Sequence, residues 1–300
     1  MKCIISGGTG FIGRRIVSRL LQNHHYVAVW SRKPGLEKRT AVASHYWDPL
    51  QGEPPAESVN AMEVVIHLAG ETVAQRWTPE VKKRIRDTRV LGTRHLVDAI
   101  GRVPHKPRVL VCASAIGYYG ERGDEVLTES SGPGQGFLSD VCREWEAEAD
   151  RATSLGLRVV KLRIGFVLGN DGGALGQLLP VFRAGLGGRL GTGKQWMPWI
   201  HVNDVAEIFI HAAENDIAGV WNTTSPNPAT NADFTRQLAG ALHRPALFPV
   251  PGFALKLAFG EFGQHMLDSA RVIPGAAIAS GYRFEFPDLR AALADLVKPT

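Results

Sequence analysis

Along the first two-thirds of the chain, short apolar runs alternate with stretches whose apolar residues recur at helical spacing. The runs at 2–6, 26–30, 63–67, 109–113 and 158–163 are near-continuous and rich in β-branched side chains, which predicts strands covered by helices on both faces. Between them, 11–22, 79–100 and 137–155 carry the helical period. In the last, Leu138, Val141, Cys142, Trp145 and Ala149 share one face. This alternation predicts βαβ units and an α/β fold, a Rossmann-type doubly wound parallel sheet. After about residue 165 the pattern loosens. Glycine- and proline-rich loops are expected at 169–176 and 185–198, with short helices near 203–215 and 231–243. Phe248-Pro249-Val250-Pro251 leads into an apolar helix ending at Phe259, and a last helix is expected over 288–297. The expected organisation is a nucleotide-binding domain over 1–165, then a smaller C-terminal substrate lobe over 166–300 with some return crossings.

Composition narrows the class. Three hundred residues, 44% of them hydrophobic, can bury a full core. No run of about 18 apolar residues occurs, so no transmembrane helix is expected. The first strand begins at Lys2 without a charged leader and apolar stretch before it, which predicts a cytoplasmic protein. Cys3, Cys112 and Cys142 are scattered and lack metal-ligand spacing, so reduced thiols and no metal site are expected. The net charge of +5 raises nucleic acid as a partner. Lysine and arginine are spread along the chain, however, and the run Lys82-Lys83-Arg84-Ile85-Arg86 suits a solvated helix face. No nucleic-acid partner is therefore expected, and an anionic small ligand fits the charge equally well. Nothing in the sequence sets an oligomeric state.

The candidate chemistry starts at Gly7-Gly8-Thr9-Gly10-Phe11-Ile12-Gly13, which follows the first strand at once and opens a helix. In that context Gly7 permits a tight turn, Gly10 lets the backbone approach a pyrophosphate, and Gly13 lets helix and strand pack closely. The helix N-terminus presents free N–H groups to the phosphates. At the end of the second strand an NAD site carries an acid for the ribose 2′-OH. Here the chain has Ser31-Arg32-Lys33. Arg32 suits a bidentate contact to a 2′-phosphate, with Ser31 and Lys33 beside it, so NADP(H) is the expected cofactor.

With this loop, His67-Leu68-Ala69-Gly70 and Trp199-Ile200-His201-Val202-Asn203-Asp204-Val205-Ala206, the chain resembles the extended short-chain dehydrogenase/reductases. It is most similar to their atypical epimerase-like branch, through Leu68–Glu71, Arg76-Trp77, Gly260-Glu261, Arg271-Val272-Ile273-Pro274 and Gly281-Tyr282-Arg283-Phe284. That branch ends in a small domain of unassigned function, here about 248–297. The resemblance implies an NADP(H)-dependent oxidoreductase or epimerase-like enzyme on a small polar substrate. It implies that Leu68, Ala69 and Gly70 line the ribose and pyrophosphate side, and that Asp48 lies near the adenine. Ile164, Gly165 and Val167 would pass the nicotinamide. His201–Val205 would fasten the lobe to the core.

The family's acid/base chemistry uses a tyrosine and a lysine four residues later, with a serine from the preceding strand end. Ser114 fits the serine. Phe137 stands where the tyrosine is expected and Val141 where the lysine is expected; neither transfers a proton. Three readings stay open. Tyr118 or Tyr119, beside Ser114, substitutes for the tyrosine, with Tyr118 the first choice. Glu71 or Lys194 supplies the acid or base. Or no proton moves, and the protein is a catalytically silent NADP(H) sensor. Asp124, Glu125 and Glu129 are expected to be solvated, His201 structural, and Trp77 and Trp196 either pocket wall or lobe filling.

Overall fold

The computed structural model describes residues 1–34 and 42–298. Its framework is a seven-stranded sheet made of β1 (Lys2–Ser6), β2 (Tyr26–Ser31), β3 (Ala43–Tyr46), β4 (Val64–His67), β5 (Val109–Ala115), β6 (Arg158–Ile164) and β7 (Gly219–Thr223). All neighbours run parallel, in the order β7-β6-β5-β4-β1-β2-β3. The central strands are buried along nearly their whole length, Lys2 at the start of β1 excepted, which is why their sequences show continuous apolar runs instead of alternation. Helices α1 (Gly13–Gln22), α2 (Pro79–Arg102) and α3 (Phe137–Asp150) follow β1, β4 and β5. Helix α2 starts where the sequence places it because Pro79 opens its first turn and the Thr78 hydroxyl caps the Val81 N–H. Strand order reverses between β1 and β4, and the crevice beyond their C-terminal ends is the place where such sheets collect ligands.

Two strands escaped the hydrophobic pattern. β3 is four residues long and half-buried, and β7 (Gly-Val-Trp-Asn-Thr) is partly polar. Helix α4 (Gly173–Arg183) occupies part of the expected loop at 169–176. Its glycines make a bed for the Phe11 ring: a Cβ on Gly169, Gly172 or Gly173 would come within 2.4, 2.5 or 2.7 Å of that ring. The stretch expected to be helical to 155 tightens after Asp150 into a 3₁₀ turn, Arg151–Leu155.

The chain crosses the boundary expected at residue 165. It leaves the sheet after β6, then returns: α5 (Val202–Glu214) puts Val205 and Phe209 into the main core, and β7 pairs with β6. A second core, with Leu175, Leu179, Trp199, Phe234, Leu238 and Leu293, joins α4 to α6 (Asn231–Leu242) and α9 (Leu289–Leu296). Between these helices lie α7 (Gly252–Phe259) and α8 (Glu261–His265). The segment after residue 280 is tied down through α5. His201 caps that helix through Nδ1 and stacks on Phe286 at 3.9 Å, and the Asp204 carboxylate accepts the Glu285 and Phe286 N–H groups at 2.7 and 3.0 Å. Burial pushes His201 down to about 4, so it stays a neutral structural group.

The basic run is ion-paired instead of merely solvated. Lys82 bonds Glu261 at 2.8 Å, Lys83 pairs with Asp87, and Arg86 pairs with Glu144. The acidic loop is likewise engaged: Asp124 accepts the Trp196 indole N–H, and Glu129 accepts the Asn222 and Ala276 N–H groups. All three cysteines are free and buried. Among the described residues, no helix is long and apolar enough to cross a membrane and no cluster could hold a metal ion.

Candidate functional site

A cleft of about 1630 Å³ opens beyond the C-terminal ends of the strands, between the sheet and the C-terminal lobe. β1 runs straight into its floor. Gly7 has φ +70°, a left-handed conformation that favours glycine. Gly13 is the tightest position: a Cβ there would sit 2.1 Å from the Gly7 carbonyl oxygen and 2.7 Å from the Gly8 Cα. Gly10 is looser, its added Cβ meeting only the Gly7 oxygen at 3.2 Å. The first turn of α1 has no acidic side chain, and Ile12 provides no side-chain cap. Its positive end is thus left for an external anion.

Beneath the loop is an arrangement that the sequence analysis missed. The Ser6 hydroxyl accepts the Leu68 and Ala69 N–H groups at 3.0 and 3.1 Å and lies 2.6 Å from His67 Nδ1. His67 Nε2 meets the Thr93 hydroxyl at 3.1 Å. This pair holds Leu68, Ala69 and Gly70 against the glycine loop. The available signal was register, since Ser6 and His67 close neighbouring strands side by side. Burial, helped by the charge of Arg89, pushes His67 from 6.5 down to about 3. The folded chain therefore refuses a proton that the unfolded chain accepts. The stability that this contributes is complete above 6.5 and is lost as the pH falls from there towards 3. Urea unfolding at about pH 5 should show lower stability than at about pH 7, and His67→Gln should flatten that difference. An unchanged slope in the variant would assign the pH dependence elsewhere.

At one end of the cleft Ser31, Arg32, Lys33 and Asp48 line the wall. The Ser31 hydroxyl accepts the Lys33 N–H at 3.1 Å, and the Asp48 carboxylate accepts the Leu50 N–H at 3.0 Å. Among the described residues no carboxylate pairs with Arg32. Further along, Gly165 has no room for a side chain, since a Cβ would be 2.3 Å from the Pro198 oxygen. Gly165 and Val167 line the cleft, whereas Ile164 packs on the main core. Gly7, Thr9, Gly10, Phe11, Ile12, Gly13, Leu68, Ala69 and Gly70 all line it as well.

The expected catalytic pair lies elsewhere. Ser114 is 2% exposed and donates its hydroxyl to Glu146 Oε1 at 2.6 Å. Tyr118 lies under the Arg163 guanidinium, 3.4 Å from its ring centroid. Neither lines the cleft; Ala115, next along β5, does. Successive side chains on a strand face opposite ways, so the hydroxyl and the cleft are on different sides. Tyr119 is buried and bonds Asn222 Oδ1 at 2.7 Å. Val141 lines the cleft, and Phe137 packs edge-on against Trp77 at 5.1 Å. Glu71 reaches the wall, where Gln75 donates to it at 3.0 Å. Lys194 is exposed outside it. Trp196 lines the cleft, and Trp77 fills the space behind it.

The sequence profile of the NAD dependent epimerase/dehydratase family matches residues 3–223. This chain belongs to that family. A second profile, a domain of unknown function (DUF1731), matches 250–296. The chain is 39% identical over 298 residues to the Epimerase family protein SDR39U1 homolog, chloroplastic, of Arabidopsis thaliana, covering 98% of this chain and 86% of that one. It is 36% identical over 299 residues to Epimerase family protein YfhF of Bacillus subtilis, covering 99% and 98%. The structure of human epimerase family protein SDR39U1 (isoform2) with NADPH superposes with a TM-score of 0.87 at 35% identity, covering 99% of each chain.

Within this epimerase-family fold the two halves of the cleft differ in chemistry. The sheet half offers the glycine cradle and helix end that fit a dinucleotide diphosphate. The lobe half is walled by apolar side chains, among them Phe166, Leu178, Met197, Phe234, Leu255 and Phe262. From residue 166 onward, the only ionisable side chains among the described lining residues are His265 and Asp268.

Proposed function

We propose that the chain is an NADP(H)-dependent oxidoreductase that acts on a small molecule held between Gly165–Val167 and the C-terminal lobe. The observation that carries the cofactor choice is Arg32, with Ser31 and Lys33, on the cleft wall where an NAD site would carry an acid. A guanidinium there attracts a 2′-phosphate through charge-assisted, bidentate bonds, and a carboxylate would repel it. The human relative whose structure carries NADPH supports the same choice. The glycine cradle would hold the diphosphate, Asp48 would lie at the adenine, and bound NADPH would supply reducing equivalents.

Fluorescence titration tests this directly. Wild type should bind NADPH at least about tenfold more tightly than NADH, a difference near 1.4 kcal/mol. Arg32→Glu should remove that preference. Equal binding of both cofactors by wild type would show that the end of β2 does not read the phosphate.

A second reading, a catalytically silent NADP(H)-binding regulatory protein, rests on the apolar residues at the family's acid/base positions. Val141 and Ala115 offer no proton on the cleft wall, and Phe137 packs behind it on Trp77. Oxidation of NADPH by any added carbonyl compound above the rate in buffer would remove this alternative.

A further inference from the structure

We propose that the C-terminal lobe supplies the missing acid: His265, held by Asp268, protonates the oxygen of a neutral carbonyl compound with an apolar body. The proposal rests on the NADP(H) oxidoreductase reading above and adds to it a proton donor and a substrate class.

Position comes first. His265 closes α8, and its ring lies 5.0 Å from that of Trp77, which in turn packs on Phe137 at 5.1 Å. The histidine is therefore two ring contacts from the place where the family resemblance expects its tyrosine. It approaches that place from the C-terminal segment that the second profile matches.

Orientation follows from the pairing with Asp268. His265 Nδ1 is 2.7 Å from Asp268 Oδ2, and both residues line the cleft. Their side chains are 24% and 35% exposed, so solvent can exchange protons with the pair. Nε2 has no hydrogen-bond partner among the described residues. A carboxylate on Nδ1 fixes the orientation of the ring and leaves Nε2 as its free donor atom. The other charged groups around the histidine are Glu261, bonded to Lys82 at 2.8 Å, and Arg76, which donates to the Leu257 carbonyl at 2.7 Å.

The competing groups in the cleft are poorly suited to the task. Burial pushes the Cys142 thiol up to about 12. Arg32, Arg84 and Arg89 carry guanidinium groups, which are poor proton donors, and the Arg89 guanidinium is already committed to the Glu71 and Ile85 carbonyls. Glu71 is engaged by Gln75 and faces Arg84 at 3.9 Å. Histidine is the side chain whose ordinary pKa lies closest to neutrality, where a general acid works best.

Substrate class follows from the wall. A phosphate or diphosphate requires strong cations, and the lobe half provides no lysine or arginine among the described lining residues from 166 onward. Its aromatic and aliphatic side chains instead favour an apolar body, with Gln177, Asn231 and Thr235 as scattered polar contacts. The sequence alone suggested a polar substrate, and this surface argues for the opposite character.

NADPH, when bound, supplies the hydride that reduces the carbonyl carbon. At the oxygen, the π pair of the C=O bond becomes a lone pair, and a new O–H bond forms as the His265 Nε2–H bond breaks. The alcohol departs, and the neutral imidazole regains its proton from water.

The test uses the full chain, NADPH, and two probes: phenanthrenequinone as an apolar dicarbonyl and glyceraldehyde as a polar aldehyde. Wild type should oxidise NADPH with the quinone and prefer it at least about tenfold in kcat/KM. His265→Gln should lower kcat by about a hundredfold, the lower end for general acid–base catalysis, while keeping the NADPH Kd within about twofold. Asp268→Asn, which preserves shape, should lower kcat by about tenfold while leaving the KM for the quinone within about twofold. Independently of turnover, the His265 imidazole signal in a ¹³C-histidine NMR spectrum should move when quinone is added without NADPH.

Failure to bind NADPH would remove the cofactor reading, and this proposal with it. NADPH binding without quinone turnover, full turnover in His265→Gln, a loss confined to Tyr118→Phe, or an unmoved NMR signal would each overturn this proposal and leave cofactor binding standing. Preference for glyceraldehyde would overturn the apolar substrate class.

Discussion

Replacing Arg163 with methionine should destabilise the protein by about 3–5 kcal/mol, the usual effect of removing one partner from a buried ion pair. Arg163 and Glu146 are 4% and 8% exposed and form a bidentate pair, with Nε and Nη2 each 2.8 Å from a carboxylate oxygen. The same guanidinium donates to the Tyr119 hydroxyl at 3.0 Å and covers the Tyr118 ring, and Glu146 also accepts the Ser114 hydroxyl. Burial works against the charge on Arg163, but its bonds to Glu146 outweigh this and hold its pKa above the ordinary value. Without Arg163, Glu146 is left as a buried charge with only a serine for company. The melting temperature should fall by on the order of 10 °C in a chain of this size. Pairing Arg163→Met with Glu146→Leu should recover most of the loss, because neither charge then remains buried. A loss below about 1 kcal/mol in the single variant would show that Glu146 finds another partner or water. The experiment also bears on catalysis, since the network holds the two residues that the sequence nominated for chemistry.

Gly13→Ala should weaken NADPH binding by at least about a hundredfold, near 3 kcal/mol. The added Cβ would lie 2.1 Å from one backbone atom and 2.7 Å from another, and neither is the yielding end of a side chain. Either α1 moves off β1 or the glycine loop opens, and both misplace the N–H groups that a diphosphate would use. Overpacking of this sort also costs about 1–3 kcal/mol of stability, so the melting temperature should drop in the same variant. Gly10→Ala is the informative comparison, because its Cβ meets only one atom, at 3.2 Å. Its melting temperature should stay close to wild type while its NADPH affinity falls less. Tight NADPH binding by Gly13→Ala would show that the cofactor does not use the loop.

The two variants probe different kinds of sequence information. Gly13 was legible because its role is local: a glycine at a set distance from a strand end must pack against the turn that precedes it. The place of Arg32 on the cleft wall is equally local, at the end of the next strand. Ser114 was misleading because the sequence shows that a hydroxyl closes β5 but not which way it faces. A strand's side chains alternate, so a shift of one residue separates Ser114, turned to Glu146, from Ala115, turned to the cleft.

By itself, the sequence determined the alternation of strands and helices, the parallel doubly wound sheet, the tight glycine turn after β1 and the basic group at the end of β2. Each of these is written in residues close together in the chain, through periodicity, glycine sterics and charge. Only the tertiary structure decided that 202–223 returns to the sheet, that Phe11 lies in the glycine bed at 169–173, and that Ser6 and His67 brace the backbone of Leu68 and Ala69. It also brought His265 and Asp268 of the last domain onto the cleft beside Trp77 and Phe137. Such meetings depend on how far elements travel and how they pack, and no local pattern of hydrophobic and polar residues records that.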